Sequence, residues 1–172
     1  YNYKKTELNF IFEKVNEFSK EMNSINLRME KQFDIFPLKN KKILDWRFVD
    51  SPNRKYNIYL VKKKSKILGY YVSRKTKMKN FNVLAIVDLF IFDNEDGTVQ
   101  AILNHINDKS SIANVDFIGC MMNPKNPVLK LFKKNLFIRT NQTFTLITHG
   151  LKGSSEKLFQ NWFITWFDHD VV

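Results

Sequence analysis

Apolar side chains recur at steps of three and four along the first part of the chain, at Leu8, Ile11, Phe12, Val15, Phe18, Met22, Ile25, Met29, Phe33 and Phe36. Such a stripe, with polar residues behind it, predicts helix over residues 5–36. It is either one helix or two, with a break near Asn23 and Ser24, where Ser24 is a candidate N-cap. Pro37 ends it. Ile43, Leu44, Trp46, Phe48 and Val49 predict a short helix closed by Ser51 and Pro52, with Trp46 as a core anchor and Arg47 bonded within the protein.

The pattern then changes to the period of two. Tyr56–Val61 and Ile67–Ser73 are rich in β-branched and aromatic residues and flank a basic turn, which predicts a hairpin. Gly69 inside the second strand marks a bulge or a close backbone approach, and the charged RKTKMKN that follows reads as a loop. Phe81–Phe92 is apolar at nearly every position. Phe81, Val83, Ala85, Val87, Leu89 and Ile91 alternate with Asn82, Leu84, Ile86, Asp88, Phe90 and Phe92, so a central strand covered on both faces is predicted. The DNEDG turn leads into a helix over Thr98–Asn107, with Val99, Ile102, Leu103 and Ile106 on its apolar face and His105 at the edge. A strand over Val115–Met121 follows, then a turn at 124–127 with Pro127 at the first position of a helix that ends at Asn135. Two last strands, Thr143–Thr148 and Trp162–Phe167, flank a short SSEKLFQ helix. The predicted class is α/β or α+β, in two parts: an N-terminal helical segment over 1–39 and a sheet domain over 40–172.

Composition adds limits. The chain has 172 residues, 44% of them apolar, enough for a sizeable core. Asp88 interrupts the longest apolar run well short of the roughly 18 residues of a membrane helix, and no membrane partner is expected. A single cysteine, Cys120, excludes an internal disulfide and suits a reducing compartment, so a cytoplasmic location and a buried, inert thiol are expected. No cluster of His, Cys and carboxylates has metal spacing. The net charge of +11 favours an anionic partner, although 23 Lys against 5 Arg beside 19 Asn also fits AT-rich codon usage. Asp88, a carboxylate among apolar neighbours, needs a partner or a raised pKa. It is therefore a candidate general base or a structural acceptor.

With this order of elements the chain resembles the GNAT superfamily of CoA-dependent N-acyltransferases over residues 40–170. The stretch Asn126-Pro127-Val128-Leu129-Lys130-Leu131-Phe132-Lys133-Lys134-Asn135-Leu136-Phe137 is similar to that family's Asn, spacer, Leu-Tyr-Glu-Lys-Asn-Gly-Phe. LDWRFVDSPNRKY and NWFITWFDHDVV resemble a bacterial GNAT-like group of surface polysaccharide and envelope biosynthesis, whose chains carry a preceding lobe. The resemblance implies a mostly antiparallel sheet flanked by helices and an acyl-CoA such as acetyl-CoA as donor. It implies that Leu89 and Ile91 hold the acyl arm, that Gly97 and Thr98 stand at the pyrophosphate, and that Asn126 belongs to the same site. Asp88 would take the proton of an amine acceptor, a small molecule or a glycan. Asp168 and Asp170, with His169, would line the pocket at the strand end or form a solvated tail.

Three departures qualify the resemblance. The pyrophosphate turn, usually Gln/Arg-x-x-Gly-x-Gly/Ala, is DNEDGT here; Phe132 stands where a Tyr protonates the departing thiolate; and Leu136 replaces a Gly. They leave open a lobe that takes an aminoacyl donor carried on tRNA. They also leave open a non-catalytic GNAT-fold lobe that binds a carbohydrate or a protein partner, or that supports a preceding lobe.

Overall fold

The computed structural model describes residues 10–92, 97–140 and 162–168. A five-stranded sheet runs in sequence order: β1 (Phe10–Val15), β2 (Asn57–Lys63), β3 (Lys66–Met78), β4 (Phe81–Ile91) and β5 (Phe117–Cys120). The first three pairings are antiparallel and the last, β4 with β5, is parallel. Helices α1 (Ile25–Met29) and α2 (Lys41–Phe48) pack on one face, with Phe163, Trp166 and Phe167. Helices α3 (Thr98–Ala113) and α4 (Leu129–Lys134) cover the other. The predicted mixed, mostly antiparallel sheet flanked by helices is the observed one.

The N-terminal helix prediction holds only in part. Phe10–Val15 is an edge strand, with Phe12 opposite Val61 of β2, and only Lys20–Ser24, a 3-10 turn, and α1 are helical. Over six residues, Phe10 and Phe12 fit the period of two as well as Ile11, Phe12 and Val15 fit the helical one, and pairing with β2 decides between them. From Phe18 onward the stripe does face inward: Phe18, Met22, Ile25, Met29 and Phe33 share a core with Leu44, Phe48, Tyr70 and Phe90. Ser24 is not a side-chain cap; its hydroxyl donates to Glu21 O. Asn40 caps α2 instead, accepting from Ile43 N–H at 2.9 Å. Trp46, the expected anchor, is 68% exposed on α2.

RKTKMKN is not a loop. β3 continues through it to pair with the start of β4, and Lys79, at φ 55°, turns the chain between the Met78–Phe81 pair. Gly69 satisfies both alternatives raised for it. The register slips beside it in the β2–β3 pairing, and a Cβ there would lie 2.5 Å from Phe90 O. α3 runs on to Ala113, beyond its predicted end, and its face of Val99, Ile102, Leu103 and Ile106 is buried as expected. α4 starts two residues after Pro127, with Asn126 Oδ1 accepting from Val128 N–H. Trp162–Phe167 is not a strand. It makes a single bridge to Ile35 and ends in a 3-10 turn over Trp166–Asp168. The expected strand at 143–148 and helix at 154–160 lie outside the described residues.

At the end of α4 it is Leu136, not Asn135, that takes the left-handed conformation, at φ 66°, with its side chain exposed. A branched residue is strained there and a glycine is not. Leu136→Gly is therefore expected to stabilise the fold by about 0.5–1 kcal/mol, the strain relieved less the entropy a glycine adds to the unfolded chain. A shift of the urea midpoint to higher concentration at unchanged slope would show it.

Candidate active site

The site is built by an irregularity in β4. Val72 of β3 pairs with Asp88, but its neighbour Ser73 pairs with Ile86, so Val87 is an extra residue in the ladder. Ala85 and Val87 face the core under α1 and α2, whereas Leu84 and Ile86 face α3. Past the bulge the parity reverses. Phe90 and Phe92 join the first core, Leu89 and Ile91 the second. Two consecutive side chains, Val87 and Asp88, thus point to the same face. The strict alternation read from the sequence fails here, and Asp88 does not lie beside Leu84 and Ile86.

On that face Asp88 is fully buried, and both its carboxylate oxygens accept hydrogen bonds. Its Oδ2 accepts from Lys39 Nζ at 2.5 Å and from Tyr70 OH at 2.6 Å, and its Oδ1 accepts from Thr165 Oγ1 at 2.9 Å. Lys39 is fully buried as well, and its ammonium lies 4.3 Å from the Phe167 ring and 4.8 Å from that of Phe163. Burial lowers the lysine's pKa, and the carboxylate of Asp88 opposes that shift, with Asp168 adding to it. Burial, then the charge of Asp88, holds the Tyr70 hydroxyl well above its ordinary value, so it remains a donor. Arg47 takes the internal role expected of it, its Nε donating to Phe167 O at 3.2 Å.

Beside this network the sheet opens. β4 and β5 pair only from Val83–Phe117 to Ile86–Cys120. Beyond that point a cleft separates them, lined by Leu89, Ile91, Met121, Met122, Asn126 and Thr165 among others. Phe92 N–H bonds to Leu68 O of β3, so alternation along the strand turns the N–H groups of Leu89 and Ile91 toward this open edge. Past the end of β4, Gly97 takes φ 89° and leads into α3. The first bond of that helix joins Ala101 N–H to Gly97 O at 2.8 Å, which leaves the amides of Thr98, Val99 and Gln100 without a helical acceptor. Thr98 is buried, and its hydroxyl has no hydrogen-bond partner among the described residues.

The structure thus brings Leu89, Ile91 and Asn126 to one cleft. Gly97 and Thr98 stand at the helix start and do not line it; Asp88 lies behind it. Asp168 is exposed, and its Oδ2 accepts from Thr165 N–H at 3.1 Å. Asp170, His169 and His149 lie outside the described residues, as do Asp93, Glu95 and Asp96. Cys120 borders the cleft, and burial pushes its thiol up to about 12, which makes it a poor nucleophile. Phe132, in the place of the family's tyrosine, is wholly buried against Phe137. His105, at the edge of the apolar face as expected, is half-buried: it stacks on Phe12, and its Nδ1 lies 2.6 Å from Tyr71 OH. Among the described residues no group of three potential metal ligands occurs, and no helix is long and apolar enough to cross a membrane.

Sequence reasoning found the carboxylate but missed Lys39, Tyr70 and Thr165. A carboxylate in an apolar strand announces that it needs a cation, and the pattern does not say which of 23 lysines supplies it.

An antiparallel sheet that ends in one parallel pair and parts around a cleft is the architecture of the GNAT fold. No family model and no curated protein matches the chain. Solved structures do. A Pyrococcus furiosus protein assigned as an acetyl transferase superposes with a TM-score of 0.55 at 14% identity, covering 84% of this chain and 100% of its own. An aminoglycoside acetyltransferase from an uncultured soil metagenomic sample, in complex with trehalose, gives 0.52 at 10% identity, covering 83% and 97%. AAC(6')-Iy, in complex with the bisubstrate analog CoA-S-monomethyl-acetylneamine, gives 0.54 at 6% identity, covering 83% and 99%. The chain has the GNAT fold.

Proposed function

We propose that the protein is an N-acyltransferase that moves an acyl group from acyl-CoA to an amine. The observation that carries this reading is the cleft between β4 and β5, with strand amides along one edge and a buried carboxylate network behind it. A thioester arm lying along the cleft would meet the N–H groups of Leu89 and Ile91, which can hold its carbonyl oxygen. A diphosphate at the start of α3 would be met by the amides of Thr98, Val99 and Gln100, which have no helical acceptor. The residues present fit the group in these respects. The carboxylates of Asp93, Glu95 and Asp96 precede this helix in sequence and oppose an anion there, so binding would rest on those amides. The acyl donor supplies the activated carbonyl. The protein's part is to orient it and to accept the proton of the amine, a role that falls to Asp88. The resemblance to envelope-biosynthesis chains makes an amino sugar the first acceptor class to try, ahead of other small-molecule amines.

Acetyl-CoA at 100 times its dissociation constant should stabilise the folded chain by about 2.7 kcal/mol, a rise of about 5–10 °C in melting temperature for a domain of this size. Thermal shift measures it directly. No shift at millimolar acetyl-CoA would exclude acetyl-CoA as the donor.

A further inference from the structure

Asp88 has the chemistry of a proton acceptor but not the position. It is wholly buried and does not line the cleft in which an amine would react. One side chain spans the gap. Thr165 lines the cleft, and its hydroxyl donates to Asp88 Oδ1 at 2.9 Å. The two carboxylate oxygens are unequally used. Lys39 and Tyr70 both bond to Oδ2, and Thr165 is the donor recorded on Oδ1. Among the described residues the Thr165 hydroxyl accepts one N–H, from Phe167 at 3.2 Å, and an oxygen of this type has two lone pairs. Among the described residues the other polar groups of the cleft, Gln32, Cys120 and Asn126, make no bond to Asp88. Asn126 Oδ1 is held by Val128 N–H, and Cys120 keeps its proton at ordinary pH.

We infer that Thr165 is the catalytic residue that meets the attacking amine and relays its proton to Asp88. The inference rests on the acyl-transfer reading above. As the acceptor's ammonium gives a proton to Thr165 Oγ1, the proton already on that oxygen passes to Asp88 Oδ1, so the threonine ends as it began. The free amine then attacks the thioester carbonyl; the C–N bond forms, the C–S bond breaks, and the second nitrogen proton goes to the departing thiolate. The proton left on Asp88 returns to solvent by the same route. Lys39 and Tyr70 are positioning residues in this scheme: they fix Oδ2 and leave Oδ1 to do the accepting.

Thr165→Val removes the hydroxyl at nearly constant shape, and Thr165→Ser keeps it. With acetyl-CoA and an amine that the wild-type chain acetylates, the valine variant is expected to lose about 100-fold or more in kcat, the scale of a lost proton-transfer group. Its thermal shift with acetyl-CoA should be unchanged, and the serine variant should recover most of the rate. A valine variant as fast as wild type would overturn the relay and leave acyl transfer standing. A serine variant as slow as the valine one would also overturn it, because the hydroxyl would then not be the determinant. Should the valine variant fail to fold, Thr165→Ala replaces it, again without the hydroxyl and with the same two outcomes. A folded wild-type chain that acetylates no amine of a broad panel would overturn the functional reading and the relay together.

Discussion

Replacing Lys39 by methionine is expected to cost the fold about 3–5 kcal/mol, the usual penalty for removing one partner of a buried ion pair. The methionine would fill much of the lysine's space between the Phe163 and Phe167 rings, so lost packing is a minor part of that cost. The larger part is the carboxylate left behind. Asp88 is wholly buried, and its remaining donors, Tyr70 and Thr165, are neutral hydroxyls. An ionised group stranded in that layer is far from water and cannot recover its solvation. The double variant Lys39→Met/Asp88→Asn removes the charge and keeps one acceptor oxygen, with an NH2 donor in place of the other, so it should be more stable than the Lys39→Met single variant. Urea denaturation of the four proteins of the cycle measures the coupling. A single variant within about 1 kcal/mol of wild type, a surface-pair value, would show that the pair carries no such weight.

That ion pair also shows where reading the chain stops. The sheet, its two apolar cores and α3 were legible because the patterns that encode them are long: Phe81–Phe92 is apolar on both faces, and Val99, Ile102, Leu103 and Ile106 keep the helical period. Phe10–Val15 was misread because six residues cannot separate the two periods, and Trp46 because an aromatic residue in a helical stripe looks the same whether it is covered or exposed. The site is harder still. Its residues come from a loop before α2, from β3, from β4 and from the C-terminal segment, and they meet through tertiary packing alone. Asp88 to Thr165 spans 77 positions and Lys39 to Asp88 spans 49. No local spacing encodes such a meeting.

Asp88→Asn is expected to lower kcat by about 10²–10⁴, the range for loss of a general base, while acetyl-CoA binding changes little. The separation follows from position. The carboxylate lies behind the cleft, and the groups proposed to hold the donor are the strand amides of Leu89 and Ile91 and the start of α3. The amide keeps one acceptor oxygen, for Tyr70 or for Thr165 but not for both, and has lost the basicity of the carboxylate. Lys39 would then be a buried cation without its anion. Its pKa is already lowered by burial, and shedding a proton would relieve it, so the variant should fold well enough to assay at low temperature. Steady-state rates beside a binding isotherm for acetyl-CoA separate the two effects. Equal turnover in the variant would remove Asp88 from the reaction and leave it as the structural acceptor that its bonds alone describe.

The extra residue at Val87 has a consequence for how such a site can arise. In a regular strand every polar residue admitted to one layer displaces an apolar one from that layer. The bulge works as a phase shift, giving one layer two neighbouring positions and resuming the alternation in the opposite phase. Val87 keeps the core beneath α1 and α2 apolar, and Asp88 enters the same layer as an added guest. Loss of one residue from β4 would therefore do more than shorten a strand: it would compel the protein to choose between that core and its carboxylate.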